Sequence, residues 1–145
     1  MVLDSNLSKK LISKLQRKKI KIFVAESITG GRFTAELVKI KGASEYLDYS
    51  LVTYSNESKS VFFNIEKIIK KNGVISAEVA LKMAERVSFN SNYVNKIGLA
   101  CTGLASKVPE YYNVKLGTVF IACCYKKKKK VIKKVFSEKR RSKII

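Results

Sequence analysis

The fold is decided by residues 21–59, which read KIFVAESITGGRFTAELVKIKGASEYLDYSLVTYSNESK. The run KIFVA at 21–25 is short and apolar, as a buried strand is, and it ends in the polar, glycine-containing loop ESITGG. RFTAELVKI at 32–40 predicts a helix, and LDYSLVTYS at 47–55 is rich in the β-branched and aromatic residues that strands favour. A strand, a glycine loop, a helix and a strand in this order indicate an α/β fold.

Outward from this stretch, helices and strands continue to alternate. Towards the amino terminus, residues 6–18 predict an amphipathic helix, which Ser5 or Asn6 could cap. Towards the carboxyl terminus, NESKSVFF and IEKIIKK predict short helices, and Ser76 begins a longer amphipathic one, SAEVALKMAERV. The apolar run KIGLACTG at 96–103 predicts a further strand.

Two apolar runs near the carboxyl terminus predict a β-hairpin. They are GTVFIACCY at 117–125 and VIKKVF at 131–136, with the five lysines Lys126 to Lys130 as a solvated turn. Together with the preceding elements, the hairpin predicts an α/β fold whose mixed sheet is covered on both faces. The chain of 145 residues fits a single domain, spanning residues 1–145.

The composition excludes several kinds of site. The chain has no His, so it contains neither a Ser-His-Asp nor a Cys-His triad. Cys101, Cys123 and Cys124 form no C-x-x-C pair and lack the fourth ligand that zinc requires, so we expect neither a metal nor a disulfide framework. The amino terminus has no apolar signal-peptide core and no run of the ~18 apolar residues that span a membrane. We therefore expect a cytoplasmic protein with no membrane partner.

The charge of the chain is strongly basic and uneven. The sequence has 30 Lys+Arg against 11 Asp+Glu, a net charge of +19, and +10 of this falls in the last twenty residues. Such a tail can bind nucleic acid by releasing counterions. The alternative is a solvated hairpin turn, which we favour because both flanks of the lysine run predict strands. A nucleic-acid partner is therefore not expected.

Three predicted strands end in small or polar residues of the kind that bind ligands. These are AESITGG with Ser27, Thr29, Gly30 and Gly31; TYSNESK with Tyr54, Asn56 and Lys59; and CTGLA with Thr102 and Gly103. In open α/β sheets, ligands bind beyond the carboxyl ends of the strands, and glycine loops offer backbone N–H groups to anions. The ends at AESITGG and CTGLA therefore predict one site, and the strand that ends at TYSNESK could lie beside the first.

A serine nucleophile in a chain without His needs another base. A lysine whose pKa is lowered can serve, with a tyrosine as proton relay, so Ser27, Lys59 and Tyr54 are the candidates. The alternative at each position is structural. The hydroxyl and glycine residues would then only cap and end elements, Lys59 would be an ordinary surface lysine, and Tyr54 would be partly packed.

Taken together, these segments resemble the C-terminal domain of the CinA family, the competence/damage-inducible proteins. The matching segments are VAESITGGRFTAELVKIKGASEYLDYSLVTYSNESK at 24–59, NGVISAEVALKMAERV at 72–87, CTGLA at 101–105 and KLGTVFIA at 115–122. The resemblance implies a three-layer α/β/α sandwich, usually a homodimer, without metal or cofactor. Stand-alone members are nicotinamide-nucleotide amidohydrolases, which convert nicotinamide mononucleotide to nicotinate mononucleotide and ammonia in pyridine nucleotide salvage.

The resemblance also implies roles for individual residues. By position, Ser27 is the nucleophile, Lys59 is the base and Tyr54 assists proton transfer. The residues implied in holding the 5′-phosphate or the oxyanion of the substrate are Thr29, Gly30, Gly31, Asn56, Thr102, Gly103 and Arg140. Which loop holds which group stays open.

The chain departs from the family's pattern in two places. After the third strand the family reads G-x-A-G-P, whereas here Gly103, Leu104 and Ala105 are followed by Ser106, Lys107 and Val108. After the last strand it reads FSEKRRSKII, with Glu138 at the family's glycine, and we expect the family's last helix to be absent. Its absence would expose part of one sheet face. The alternative function is therefore a catalytically inactive relative that binds a nucleotide or a protein partner.

Overall fold

The computed structural model describes residues 5–107, 114–137 and 140–145, and their side chains from residue 8 onward. Val108 and Glu138, which distinguish the chain from the family's pattern, lie outside the described residues. The same holds for the side chains of Ser5 and Asn6, the expected caps of the first helix.

Five strands form one mixed sheet. They are β1 (Lys21–Glu26), β2 (Leu47–Val52), β3 (Lys96–Gly103), β4 (Thr118–Tyr125) and β5 (Lys128–Val135), in the spatial order β2-β1-β3-β4-β5. β1 pairs in parallel with β2 and β3, whereas β4 pairs antiparallel with β3 and β5. The prediction of a mixed sheet is confirmed. Because β1, β2 and β3 run in the same direction, their carboxyl ends meet at one edge of the sheet.

Helices cover the sheet on both faces. On one face lie α1 (Ser5–Arg17), α2 (Arg32–Val38) and α3 (Ala43–Tyr46), and on the other lie α4 (Asn56–Phe63), α5 (Glu66–Asn72) and α6 (Ala77–Val87). Ile22 and Val24 of β1 pack towards the first group, and Phe23 and Ala25 pack towards the second. Successive strand residues point to opposite faces, so β1 serves both cores. The three-layer α/β/α sandwich is confirmed.

Helix α6 lies unusually close to the sheet. Its N-terminus is capped as predicted, because the Ser76 Oγ accepts a hydrogen bond from the Val79 N–H at 3.3 Å. A Cβ built at Gly98 of β3 would lie 1.8 Å from the Ala84 carbonyl oxygen, so only glycine permits this approach. The close contact fixes the position of the loop before α6, which contributes to the site described below.

The second strand is shorter than predicted. The prediction of a strand over 47–55 is wrong at its carboxyl end, because β2 ends at Val52. Ser55 instead caps α4, its Oγ accepting from the Ser58 N–H at 3.0 Å. Side-chain capping therefore ends the strand early and turns residues 53–55 towards the edge of the sheet where β1 and β3 also end. The short helix α3 was not predicted.

The hairpin turn is also shorter than predicted. Only Lys126 and Lys127 lie between the strands, and Tyr125 of β4 pairs directly with Lys128 of β5. Lys126 adopts a positive φ of 54°, which a two-residue turn requires. The prediction that all five lysines form the turn is therefore wrong: β5 is an edge strand whose lysines stay solvated while its backbone is paired.

The described residues after β5 include one helical turn, α7 (Arg141–Ile144), in which Ile144 is buried against Ile28, Cys101 and Val119. The sequence predicted no helix there. Whether the longer final helix of the family is missing from this protein stays a prediction. In the part of the chain that the structure describes, every helix is too short or too polar to cross a membrane.

Candidate active site

A cavity of about 200 Å³ lies beyond the carboxyl ends of the three parallel strands. Its polar lining comes from Ser27, Tyr54, Asn56, Lys59, Thr102, Ser106 and Arg141, and its apolar lining from Ile28, Val74, Ile75, Leu104 and Ala105, with Gly103 between them. The predicted convergence of the three strand ends is thus observed. Of the predicted site residues, the cavity brings together Ser27, Tyr54, Asn56, Lys59, Thr102 and Gly103.

Ser27 directly follows β1 and lines the cavity. The residue is only 7% exposed, and its side chain makes no hydrogen bond within the described part of the chain. The Ser27 Oγ is not fully enclosed by protein, so it remains accessible from the cavity. The hydroxyl therefore has its hydrogen-bonding capacity available to a ligand in the cavity.

Lys59 is buried in α4, with 1% of its surface exposed. Its Nζ donates to three backbone carbonyls, those of Thr53 at 2.7 Å, Tyr54 at 3.0 Å and Ser55 at 3.3 Å. Burial of the ammonium lowers the pKa of Lys59 to about 8, and the nearby Cys101 sulfur opposes this in part. The alternative of an ordinary surface lysine is therefore wrong, and the side chain is both positioned and able to lose a proton near neutral pH.

The outer wall of the cavity contains Tyr54 and Arg141. Tyr54 is 57% exposed, and its hydroxyl accepts a hydrogen bond from the Arg141 guanidinium. Arg141 also donates to the Ser106 Oγ at 3.1 Å, so it joins the β2–α4 and β3–β4 connections across the mouth of the cavity. Arg140, the predicted phosphate ligand, is exposed and does not line the cavity. Neighbouring residues at the start of a helix point about 100° apart, and here Arg141 is the one directed inward.

Glu26 is the important residue that the sequence analysis missed. It is fully buried at the end of β1, and its carboxylate accepts hydrogen bonds from the Thr29 Oγ1 at 2.5 Å, the Gly31 N–H at 2.9 Å, the Phe33 N–H at 3.2 Å and the Thr34 N–H at 2.8 Å. The Thr34 hydroxyl also donates to it. Burial alone would raise the pKa of Glu26, but these hydrogen bonds outweigh it and lower the pKa below its ordinary value.

The Glu26 carboxylate changes the interpretation of the glycine loop. Within the predicted anion site, Thr29 and Gly31 already donate to this internal anion and the Gly30 N–H donates to the Ser27 carbonyl, and none of the three residues lines the cavity. Their contact with the substrate stays a prediction, although these donors are already engaged within the protein. A carboxylate immediately before a loop that opens a helix is a recognisable signal, because helix N-termini favour negative charge.

The Thr102 hydroxyl is engaged within the protein, where it positions the Val74 side of the cavity. Its Oγ1 donates to the Val74 carbonyl at 2.9 Å, which ties β3 to the loop before α6. The apolar pair Val74 and Ile75 thereby forms one side of the cavity. In the described residues, no group of three His, Cys, Asp or Glu side chains could hold a metal ion.

The fold and the site together define an α/β sandwich with a buried lysine and a serine in one cavity at the carboxyl ends of its parallel strands. Residues 4–145 match the family model described as the CinA C-terminal domain, and the chain belongs to this family. A CinA-like protein of Syntrophobacter fumaroxidans is 34% identical over 140 residues, which cover 96% of this chain and 32% of that protein. The chain thus spans about a third of the length of this curated relative.

Solved structures agree with this fold. A CinA superfamily protein from Escherichia coli superposes with a TM-score of 0.88 at 19% identity, covering 99% of this chain and 85% of that one. The competence/damage inducible protein CihA from Agrobacterium tumefaciens gives a TM-score of 0.86 at 24% identity, covering 99% and 90%. At these identities the likeness establishes the fold.

Proposed function

We propose that the protein is an amidohydrolase that converts nicotinamide mononucleotide to nicotinate mononucleotide and ammonia. The observation that carries the proposal is Lys59, a buried amine with a pKa of about 8 that shares one cavity with Ser27. A serine becomes a nucleophile when a neighbouring base removes its proton, and in a chain without His a desolvated lysine can be that base. Membership in the CinA family supports the choice of substrate.

The proposed reaction has two stages. Neutral Lys59 accepts the proton of the Ser27 hydroxyl, and the Oγ attacks the carboxamide carbon to give a tetrahedral oxyanion. The C–N bond then breaks, the leaving nitrogen takes a proton from Lys59, and ammonia departs from an ester of Ser27. Water attacks this ester with Lys59 again as base, which releases the acid and restores the serine. Tyr54, at the mouth of the cavity, would relay protons.

The three carbonyls around Lys59 favour this proton transfer. A neutral amine has two N–H donors and one lone pair, whereas an ammonium ion has three donors. The carbonyls of residues 53–55 can therefore all be satisfied only after Lys59 has taken the proton. They hold the Nζ in position and stabilise the protonated state in which nitrogen departure begins.

The remaining lining divides into an apolar and a polar part, as the substrate does. Ile28, Val74 and Leu104 would contact the pyridine ring, and Arg141 at the mouth would bind the 5′-phosphate. A cavity of about 200 Å³ is smaller than the ~300–1,000 Å³ of typical ligand sites, so the ribose phosphate would extend outward towards Arg141.

We expect the rate of the reaction to rise with pH. The base must be neutral, and Lys59 has a pKa of about 8, so kcat/KM should increase about tenfold per pH unit well below this value and level off above it. Nicotinamide riboside, which has no phosphate to titrate, should give the same profile. A rate that is flat or falls across this range would exclude Lys59 as the base.

We expect Arg141→Met to raise KM for nicotinamide mononucleotide by about 10–100-fold with little change in kcat, because the variant loses a charge-assisted hydrogen bond to the phosphate. Arg140→Met is the matched control, because Arg140 does not line the cavity. Steady-state kinetics with the mononucleotide and the riboside measure the difference, and only the mononucleotide should be affected. A larger effect of Arg140→Met would favour the arginine that the sequence predicted.

The direct test is ammonia release by the purified full chain with nicotinamide mononucleotide, with nicotinate mononucleotide identified by mass. A specific observation favours the alternative, a nucleotide-binding relative without turnover. The Lys59 Nζ already contacts three carbonyls, and no hydrogen bond in the described residues joins it to Ser27. If calorimetry shows nucleotide binding while ammonia stays at the blank level, this alternative is correct.

A further inference from the structure

One part of the sheet is not covered by any helix of the described residues. On β4 and β5, the strand register directs eight side chains to the face that α1, α2 and α3 cover elsewhere. Val119 and Tyr125 are covered, and we call the other six the lysine-edged face: Ile121, Cys123, Lys128, Lys130, Ile132 and Lys134. Ile121 and Ile132 are direct cross-strand partners in its centre. They are 40% and 46% exposed, although the equivalent positions of β1 are buried.

The described helices stop on either side of this face. The cluster beneath α1, α2 and α3 extends over β1 and β3 as far as Tyr125, and Ile144 of α7 covers Val119 at the other end of β4. Between these two points the structure places no described helix. Helices pack on the same side of the sheet next to the lysine-edged face, so this face is suited to bind a further helix.

The charge on this face has one sign. Residues 118–135 include no Asp or Glu, and Lys128, Lys130 and Lys134 of the face form no ion pair with the described residues. On the opposite face, by contrast, Lys129 pairs with Glu85 at 3.0 Å. The uncovered face thus combines an apolar centre with unneutralised positive charge at its border.

We propose that the lysine-edged face binds an acidic amphipathic helix of a partner protein. Apolar side chains of such a helix would cover Ile121 and Ile132, and its carboxylates would meet Lys130 and Lys134. The dimensions agree, because the six residue steps from Lys128 to Lys134 span ~20 Å. A helix of about 14 residues has the same length.

Two other occupants fit the face less well. A second copy of this chain would bring the same lysines together, and each copy carries a net charge of +19, so association through this face is repulsive. Nucleic acid would neutralise the lysines, but its phosphates would leave the exposed isoleucine pair without an apolar contact. An acidic helix satisfies both the charge and the apolar centre.

The probe for the test is a synthetic 14-residue helical peptide with Leu on one face and Glu on the other, labelled for fluorescence anisotropy. At a rise of ~1.5 Å per helical residue, its length matches that of the lysine-edged face. The full chain should bind it, and added salt should weaken the binding. A peptide with Lys in place of every Glu, and one with the same residues in scrambled order, should bind at least about tenfold more weakly.

Two variants locate the binding surface. Lys130→Glu combined with Lys134→Glu should weaken peptide binding by about tenfold or more, and Ile132→Ser should weaken it without changing the charge. The matched control is Lys67→Glu combined with Lys71→Glu, a double reversal at exposed positions of α5 on the other side of the sheet. Circular dichroism checks that each variant is folded. If Ile132→Ser does not fold, the test rests on the charge-reversal variant Lys130→Glu with Lys134→Glu.

Three results would overturn the proposal. The first is equal binding of the Glu peptide and the scrambled peptide. The second is equal loss of binding in the α5 control and the β5 variant. The third is a different occupant: binding to phosphatidylserine–phosphatidylcholine vesicles but not to the peptide, or a dimer by light scattering that Ile132→Ser dissociates. Ammonia release is independent of this face, so the inference stands or falls separately from the proposed function.

Discussion

Lys59→Met is expected to lower kcat for ammonia release by ~10²–10⁴-fold, the usual contribution of a positioned proton-transfer group. The substitution keeps the buried length of the side chain and removes only the amine that faces the carbonyls of Thr53, Tyr54 and Ser55. KM should change little, because Lys59 transfers protons in the chemical steps and is not one of the groups proposed to bind the pyridine ring or the phosphate. Lys67→Met, at an exposed position of α5, is the matched control and should retain wild-type activity.

A second substitution separates the proton-transfer role of Lys59 from its charge. Lys59→Arg keeps a cation but cannot lose a proton in the working range, so it should be as inactive as Lys59→Met. Thermal unfolding shows whether each variant is folded. Activity retained in a folded Lys59→Arg protein would mean that the positive charge, rather than a base, is what the reaction requires.

Glu26→Ala is expected to reduce the free energy of unfolding by about 3–5 kcal/mol or to prevent folding, because it leaves buried donors without an acceptor. Glu26→Gln should be nearly as damaging. Its amide nitrogen would replace one of the two carboxylate oxygens and place donors against the N–H group of either Gly31 or Thr34, which already donate. Denaturant unfolding measures the loss. Glu36→Gln, at a surface position of α2 where the carboxylate pairs with Lys39, should change stability by less than about 1 kcal/mol.

The same carboxylate makes stability depend on acid. The pKa of Glu26 in the fold lies below its ordinary value of 4.5, so its contribution is fully present above that value. It is lost as the pH falls through the lowered pKa, where the buried carboxylate becomes protonated. A folded Glu26→Gln protein should therefore show a flatter dependence of stability on pH below about 4.5. If the dependence of stability on acidic pH is the same in Glu26→Gln as in wild type, Glu26 is not the group whose protonation destabilises the fold.

The order of the elements could be predicted because it depends on local patterns. The strand at 96–103 and the Ser76 cap follow from apolar runs and capping residues that require no knowledge of the tertiary structure. The turn of the hairpin could not be predicted in the same way. Lys128 to Lys130 have no strand propensity, and they enter β5 because backbone pairing to β4 extends to Tyr125.

The polar residues of the site could be predicted from the sequence, but the burial of Lys59 and its contacts could not. The resemblance to the family placed Ser27, Tyr54 and Lys59 together, and the structure brings all three to one cavity. The burial of Lys59 depends on three carbonyls that converge only after β2 has ended, and lysine is otherwise a surface residue. Contacts between distant elements also decide the position of Arg141.

The central claim is tested most directly by measuring ammonia and nicotinate mononucleotide together, from the wild-type chain and from Ser27→Ala. The account predicts that wild type produces the two in equal amounts. In Ser27→Ala, which removes one oxygen atom from a side chain without hydrogen-bond partners in the described residues, production should fall by ~10³-fold or more while the fold persists. Release of ammonia at the wild-type rate by Ser27→Ala, or no release by wild type, would contradict the account.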